Sequence, residues 1–327
     1  MRFLRRACLT LLLAGLALTA SGAEHSTVRL GVLKFGTVNW TLAVLQEEGL
    51  DTAHGIALEV VPLANKNAIS VALQGGAVDM IVSDWIWVSR QRAAGRDYTF
   101  SPYSLTVGGV MVRPGAGIES VADLQGRRLG VAGGPVDKSW LLLRAYSRKF
   151  LERDLTESVR PNFAAPPLLN ELIRQGELDA VLNFWHYNAQ LQADGMQELI
   201  GVDAILPSLG VPGDVPLLGW VFDESWAAQN RERVTAFLDA ARAAQQRMLE
   251  SDALWSGMLR PLTQAEDEAT LAALRAGYRA GVPRRFGEAE IASSAKVFAI
   301  LAEIGGHQLV GNSETLTPGT FWDGYTF

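Results

Sequence analysis

Cysteine is almost absent from this sequence, and its absence removes several kinds of site. Cys8 is the only cysteine among 327 residues, so we expect no disulfide framework, no thiolate metal site and no cysteine nucleophile in the folded protein. Histidine is also scarce. No two of the four histidines are spaced i, i+4, and no Asp or Glu lies at a metal-ligand spacing from any of them. The sequence therefore predicts neither a metal centre nor thiol chemistry.

Basic runs and nucleotide-binding motifs are missing too. The formal net charge is −6 at pH 7, and no run of Lys or Arg follows the first six residues, which argues against a nucleic-acid partner. Gly133-Gly134 is followed by neither the later glycine of a dinucleotide fingerprint nor the Lys-Ser/Thr of a phosphate loop. We expect no nucleotide and no other resident cofactor.

The first 23 residues have the pattern of a secretory signal peptide. Arg2, Arg5 and Arg6 precede an apolar stretch over residues 7–20, and Ser21-Gly22-Ala23 supplies small residues at a cleavage position. A retained membrane anchor is the alternative, but a spanning helix needs about 20 apolar residues. No later run approaches that length, so we expect an exported chain that is not membrane-inserted after cleavage.

Beyond residue 23, short β-rich runs alternate with helical ones. Strands that alternate with helices are typical of a parallel or mixed sheet covered on both faces, so the sequence predicts an α/β fold. The chain from about Asn230 is predicted to be helical, and Thr263 with Glu266 forms a capping-box signature. The first predicted elements are a strand at 28–33, a helix at 40–48, a strand at 56–62, a helix at 67–74 and a strand at 78–83.

The sequence contains an internal repeat with an offset near 100 residues. Arg29-Leu30-Gly31-Val32 recurs as Arg128-Leu129-Gly130-Val131, and each is followed by a polar, glycine-bearing loop that leads to a tryptophan, Trp40 or Trp140. Residues 76–85 align in the same way with residues 176–185, and both segments end in a tryptophan. The two matches predict duplication of an α/β unit.

Two equivalent lobes would present equivalent loops, and ligands in open α/β sheets bind beyond the carboxyl ends of the strands. Both first loops lead into a helix start, where free backbone N–H groups favour an anion or a carbonyl oxygen. The aromatic side chains of these loops would line a cleft. The candidate ligand-binding residues are Lys34, Phe35, Thr37, Asn39, Trp40, Ser83, Asp84 and Trp85 in the first unit, and Gly134, Lys138, Ser139, Trp140, Asn183, Trp185, His186 and Tyr187 in the second.

Each kind of candidate has a plainer structural alternative. The four loop tryptophans would otherwise pack within the lobe cores, and the two lysines would otherwise be exposed charges. Asp137 is predicted to cap a helix rather than to meet a ligand, whereas both roles stay open for Asp84. His186 would contact the ligand or lie at the rim of the cleft.

Three further segments resemble a known family. They are Glu47-Glu48-Gly49-Leu50 followed by His54-Gly55-Ile56, residues 73–79 and residues 122–131. In this order, and with the predicted signal peptide, they resemble the periplasmic solute-binding proteins of ABC importers for nitrate, sulfonates, taurine and thiamine precursors. The resemblance covers nearly the whole chain after residue 23.

The resemblance implies two α/β lobes joined by two extended crossover segments, with a hinge that closes the lobes on a ligand. The crossings would fall near residues 105–113 and 215–222. Lobe one would then comprise residues 24–113 and 219–327, and lobe two residues 114–218.

Aromatic loops without a nucleophile or acid/base motif predict a binding protein rather than an enzyme. The resemblance implies a periplasmic monomer that delivers a small molecule to an ABC transporter permease. The aromatics and lysines favour a flat aromatic anion, and the chain resembles binding proteins associated with quinoprotein metabolism. Pyrroloquinoline quinone, itself a redox cofactor, is therefore the first candidate ligand. The alternative ligands are nitrate, a sulfonate and a thiamine pyrimidine precursor. The alternative functions are an exported enzyme on the same fold and a sensor ectodomain.

Overall fold

The computed structural model describes residues 26–327, and the predicted signal peptide over residues 1–23 lies outside them. The strands are β1 (Ser26–Leu33), β2 (Ile56–Leu63), β3 (Met80–Ser83), β4 (Tyr98–Ser104), β5 (Gly109–Val112), β6 (Arg128–Ala132), β7 (Arg160–Ala164), β8 (Ala180–Asn183), β9 (Gln197–Gly201) and β10 (Leu218–Asp223). The helices are α1 (Val38–Glu47), α2 (Leu50–Ala53), α3 (Lys66–Gln74), α4 (Trp85–Ala93), α5 (Lys138–Leu151), α6 (Leu155–Ser158), α7 (Pro166–Arg174), α8 (Trp185–Ala193), α9 (Val202–Ser208), α10 (Glu224–Gln229), α11 (Arg231–Glu250), α12 (Asp252–Leu254), α13 (Arg260–Thr263), α14 (Glu268–Ala280) and α15 (Glu288–Val310).

The strands divide into two five-stranded sheets of the same design. Their order is β2-β1-β3-β10-β4 in the first sheet and β7-β6-β8-β5-β9 in the second. In the first sheet β1 is parallel to β2 and β3, and β10 runs antiparallel to its neighbours. In the second, β6 is parallel to β7 and β8, and β5 runs antiparallel to its neighbours. The predicted α/β fold, with two lobes built on mixed sheets, is confirmed.

Two chain crossings connect the sheets, and the strand pairing moves their predicted limits. Because β5 pairs with β8 and β9, residues 109–112 belong to the second lobe, although the sequence placed them in the first. The first crossing is therefore residues 105–108, where the Leu105 N–H donates to the Gly281 carbonyl oxygen at 2.7 Å. The second crossing ends before Leu218, because residues 218–223 pair with β4 and residues 219–222 also pair with β3 of the first sheet.

The repeat in the sequence is also a repeat in structure. α1 and α5 begin at Val38 and Lys138, and α4 and α8 begin at Trp85 and Trp185, so both pairs start 100 residues apart. The five elements predicted first are all present, with limits within two residues of the predicted ones. None of the helices between residues 26 and 327 is both long and apolar enough to span a bilayer.

The same arginine–aspartate contact occurs once in each lobe. The Asp79 carboxylate accepts hydrogen bonds from the Arg29 backbone N–H at 2.8 Å and from its guanidinium at 2.6 Å. The Asp179 carboxylate accepts the equivalent bonds from Arg128 at 2.8 and 2.9 Å. Each contact fixes the start of one strand, β3 or β8, against its parallel neighbour, β1 or β6, so the loops that follow leave both sheets at equivalent places.

The helices after β10 tie the two lobes together. α14 packs against α8 of the second lobe, and α15 packs against both α4 of the first lobe and α5 of the second. The N-cap of α14 is Asp267, which accepts a hydrogen bond from the Thr270 N–H at 2.7 Å. The predicted capping box is therefore wrong, because Thr263 ends α13 and its hydroxyl donates to the Arg260 carbonyl oxygen.

Candidate functional site

Four helices begin where the two lobes meet. α1 and α4 follow β1 and β3 of the first lobe, and α5 and α8 follow β6 and β8 of the second. Since these strands are parallel within each lobe, their carboxyl ends lie at one edge of each sheet. Helices that start at such an edge present free N–H groups to whatever lies beyond it.

An ion pair joins the lobes at this edge. Lys138, the first residue of α5, places its Nζ 2.8 Å from Oδ2 of Asp84, the N-cap of α4. The two side chains are only 20% and 17% exposed. Lys138 is therefore not a solvent-exposed charge, and the group that it meets is a carboxylate of the other lobe.

Both aspartates next to Lys138 cap helices. Asp84 accepts a hydrogen bond from the Trp87 N–H at 2.9 Å, and Asp137 accepts one from the Ser139 N–H at 2.9 Å, which confirms the predicted cap at Asp137. Burial would raise the pKa of Asp84, but the Lys138 ammonium and the Trp87 N–H hold that pKa below its ordinary value. Burial would lower the pKa of Lys138, but the two carboxylates raise it. Both partners of the ion pair are therefore charged at neutral pH.

Lys66 is a further charged group at this edge, and the sequence reasoning missed it. It is the first residue of α3 and is exposed. The Lys138 ammonium is the main cause that lowers the pKa of Lys66, while Asp84 and Asp137 act against it. A signal was available, because the loop after β2 leaves the sheet at the same edge as the loops after β1 and β3.

Three of the four loop tryptophans are buried, and one of these three meets the fourth across the lobes. Trp85 and Trp140 are 0% and 1% exposed and share an apolar cluster with α15, which corrects their predicted position on the cleft surface. Trp40 is 6% exposed and lies against Trp255 in the first lobe. Its ring also forms an edge-to-face contact with the half-buried Trp185 of the second lobe, with 5.9 Å between ring centroids.

Trp185 begins an aromatic cluster on α8. Its half-buried ring lies so close to α14 that a Cβ added at Gly277 would be 2.8 Å from Trp185 Cε3. The rings of His186 and Tyr187 are 4.4 Å apart. His186 Nδ1 is buried without a hydrogen-bond partner among the described residues, and burial lowers the pKa of His186 to about 4. The imidazole is therefore neutral at pH 7.

Two asparagines predicted to bind ligand hold the shape of their loops. The Asn39 amide donates to the carbonyl oxygens of Leu33 and Gly36, both at 3.1 Å. The Asn183 side chain is 1% exposed and donates to the Pro166 carbonyl oxygen at 3.0 Å. The buried Asn183 side chain is fully engaged within its own lobe, which corrects its predicted role, whereas Asn39 is half-buried and its contact with a ligand stays a prediction.

The other candidates lie around the ion pair and at the rim. Phe35 is 75% exposed, and the exposed Lys34 places its ammonium 5.6 Å from the Phe35 ring centroid. Lys34 takes part in none of the ion pairs formed by residues 26–327. The same residues contain no cluster of three or more His, Cys, Asp or Glu placed to hold a metal ion. The half-buried candidates near the helix starts are Thr37, Ser83, Gly134 and Ser139.

The sequence profile of one family covers most of these elements. The profile of the NMT1/THI5-like family matches residues 41–253, which contain both crossings and both halves of the charged site. The chain belongs to the NMT1/THI5-like family. A comparison of this NMT1/THI5-like chain with curated proteins gives no match.

Solved structures similar to this NMT1/THI5-like chain include binding proteins and an enzyme. The periplasmic aliphatic sulphonate binding protein SsuA from Escherichia coli is 15% identical with a TM-score of 0.73, covering 92% of this chain and 94% of SsuA. The alkanesulfonate-binding protein SsuA from Xanthomonas axonopodis pv. citri, bound to MOPS, is 17% identical with a TM-score of 0.65, covering 91% and 98%. The desulfurization enzyme DSZB is 16% identical with a TM-score of 0.59, covering 90% and 97%. At these identities the similarity shows the shared two-lobed fold.

Proposed function

We propose that this protein is the periplasmic substrate-binding component of an ABC importer, which captures a small organic acid between its lobes and delivers it to a membrane permease. The observation that carries the proposal is the contact between the lobes at their helix starts, with the Lys138–Asp84 ion pair and the Trp40–Trp185 contact. Two lobes joined by two short crossings can open and close around a ligand held at such a place. Membership of the family and the fold shared with binding proteins support this role.

The chemistry of the site favours a ligand with an acidic group and an apolar, aromatic part. Lys138 and the helix starts would receive the acid, and Trp185 with Tyr187 would contact the ring. Because Trp85 and Trp140 lie in the core, the aromatic surface is smaller than the sequence predicted. Pyrroloquinoline quinone stays the first candidate, bound as cargo rather than as a resident cofactor. A sulfonate, nitrate and a thiamine pyrimidine are the alternatives.

An enzyme on the same fold is the second candidate function, because the desulfurization enzyme DSZB shares this architecture. The arrangement at the site favours the carrier: Asp84 caps a helix and pairs with Lys138, so neither group is free to act as a base. We therefore expect binding without conversion, by a monomer in the periplasm.

The proposal is tested first by identifying the bound molecule. Protein purified under mild conditions is denatured, and the released compounds are analysed by mass spectrometry. The ligand-free protein is then titrated by calorimetry with pyrroloquinoline quinone, MOPS, nitrate and a thiamine pyrimidine. We expect one of them to bind with 1:1 stoichiometry and to be recovered unchanged. Binding of none of these compounds, or formation of a product, would contradict the carrier role.

A variant at Trp185 tests the position of the site. Trp185→Ala removes a large contact surface and should weaken binding by about 1.5 to 3 kcal/mol while the protein stays folded. Trp226→Ala is the matched control, because Trp226 is half-buried on α10. α10 follows the antiparallel strand β10 and therefore starts at the opposite edge of the sheet. If the two variants bind the ligand with equal affinity, Trp185 does not contact the ligand.

A further inference from the structure

The Lys138–Asp84 ion pair has a special position among the ion pairs of the molecule. Of the ion pairs formed by residues 26–327, it alone joins one lobe to the other. Its partners lie at the starts of α4 and α5, where the proposed ligand would bind. The ammonium that would receive a ligand's acid thus already holds a carboxylate of the protein.

The position of the Asp84 carboxylate does not depend on Lys138. Its Oδ1 accepts the Trp87 N–H at 2.9 Å and so caps α4 from within the first lobe. Its Oδ2 is the atom that contacts Lys138 across the cleft. The cap therefore presents an acid group to Lys138 whenever the lobes close, in the place that an external acid would take.

The Lys138 ammonium lies among charges of both signs. Asp84 and Asp137 act on it as negative charges, and Arg90 acts as a positive one. The side chains of the ion pair are largely buried, so a second acid placed at Lys138 beside Asp84 would meet a like charge that solvent screens little. An incoming acid and the Asp84 carboxylate therefore compete for the same ammonium.

We propose that Asp84 is an internal competitor for the ligand's acidic group: it helps to hold the lobes together through Lys138, and an incoming acid replaces it there. Asp84 keeps its cap on α4 through Oδ1, and its Oδ2 gives up Lys138 to the ligand. Asp84 thereby determines which ligands bind. An acid must bind Lys138 more strongly than Asp84 does, and a neutral molecule cannot displace Asp84. This inference rests on the proposed function, since it assigns a role to a residue of the same site.

The variant Asp84→Asn separates the two roles of this side chain. Asparagine caps helices about as well as aspartate, so α4 keeps its cap while Lys138 loses its charged partner. Asp137→Asn is the matched control, because it removes a carboxylate from the same charged group and keeps a helix cap, but breaks no contact between the lobes. Asp84→Ser, a second capping residue, covers the case in which the asparagine variant does not fold.

Two measurements decide the proposal. In calorimetry with pyrroloquinoline quinone and MOPS as acidic probes, Asp84→Asn should bind more tightly than wild type by roughly tenfold or more, and Asp137→Asn by much less. Without added ligand, the distance between the lobes is measured by double electron–electron resonance. The spin labels are attached at Val71→Cys on α3 and Leu168→Cys on α7, in a Cys8→Ser background. Both positions are exposed, at 67% and 51%. Asp84→Asn should add a population at longer distance that wild type and Asp137→Asn lack.

The outcomes distinguish the inference from the proposed function. If the acids bind wild type and Asp84→Asn binds them equally or more weakly, Asp84 is not a competitor, and the carrier role stands. An unchanged distance distribution in Asp84→Asn would overturn the role of the pair in holding the lobes. If no acid binds either protein, the carrier role fails and the competitor role fails with it.

Discussion

The contact between α14 and Trp185 offers a direct way to alter how the lobes meet. Gly277 lies inside α14, and a Cβ at this position would be 2.8 Å from Cε3 and 2.9 Å from Cζ3 of Trp185. An ordinary contact is 3.4 to 4 Å, so Gly277→Ala requires a displacement of at least 3.4 − 2.8 = 0.6 Å. The displaced ring belongs to the second lobe, and the methyl group belongs to a helix packed on the first.

The energies of this substitution oppose each other. Overpacking typically lowers the stability of a protein by about 1 to 3 kcal/mol. Replacing glycine by alanine within a helix raises it by about 1 kcal/mol. The net loss of stability should therefore be between about 0 and 2 kcal/mol. Because Gly277 and Trp185 meet where α14 packs on α8, we expect the strain to be relieved by opening the cleft at this contact rather than by repacking either core. Ligand affinity should fall more than stability.

The assay combines thermal unfolding with small-angle scattering and a binding titration. Gly277→Ala should show nearly unchanged unfolding, a larger radius of gyration with saturating ligand and weaker binding. Gly257→Ala is the control, because an added Cβ there meets no atom within 4 Å. Adding Trp185→Phe to Gly277→Ala removes the atoms that clash and should restore the compact form. If Gly277→Ala behaves like Gly257→Ala in scattering and binding, the α14–Trp185 contact does not control closure.

Two further predictions concern titratable groups. Burial lowers the pKa of His186 from 6.5 to about 4, so the unfolded chain takes up a proton that the folded protein excludes; the stability present above pH 6.5 is lost as the pH falls towards 4. Between pH 7 and pH 5, the free energy of urea unfolding should fall by about 2 kcal/mol less in His186→Phe than in wild type. The control His307→Gln removes an exposed histidine, and its free energy of unfolding should fall as much as that of wild type. Asp179→Asn should cost about 1 kcal/mol at pH 7. Arg128 lowers the pKa of Asp179 to about 2, so this contribution is present above pH 4 and disappears as the pH falls through 2, where wild type and variant should become equally stable.

The lobes and their helix starts could be predicted because the signals are local. Alternating strands and helices, and two segments repeated near 100 residues apart, led to elements whose limits agree within two residues. The boundary at β5 could not be found in this way. Residues 109–112 read as part of a crossing, and only their pairing with β8 and β9 assigns them to the second lobe.

The site was predictable as a set of loops but not as a set of contacts. Asp137 was correctly predicted as a cap, because a cap depends on its own helix. The partner of Lys138 depends on how one lobe meets the other, and no pattern in the sequence places Asp84 2.8 Å away. The contact of Trp185 with α14 likewise joins residues that are far apart in the chain.

The repeat also explains why the loop tryptophans were predicted alike and yet differ. A symmetric pair of lobes would treat Trp40 like Trp140 and Trp85 like Trp185, but the C-terminal helices have no counterpart in the second lobe. α15 lies over α4 and α5 and shares an apolar cluster with Trp85 and Trp140, whereas α14 lies against α8 beside Trp185. The two tryptophans left to meet across the lobes therefore come from different positions of the repeat. We expect a ligand to bind with the same asymmetry, its ring near Trp185 and its acid near the start of α5.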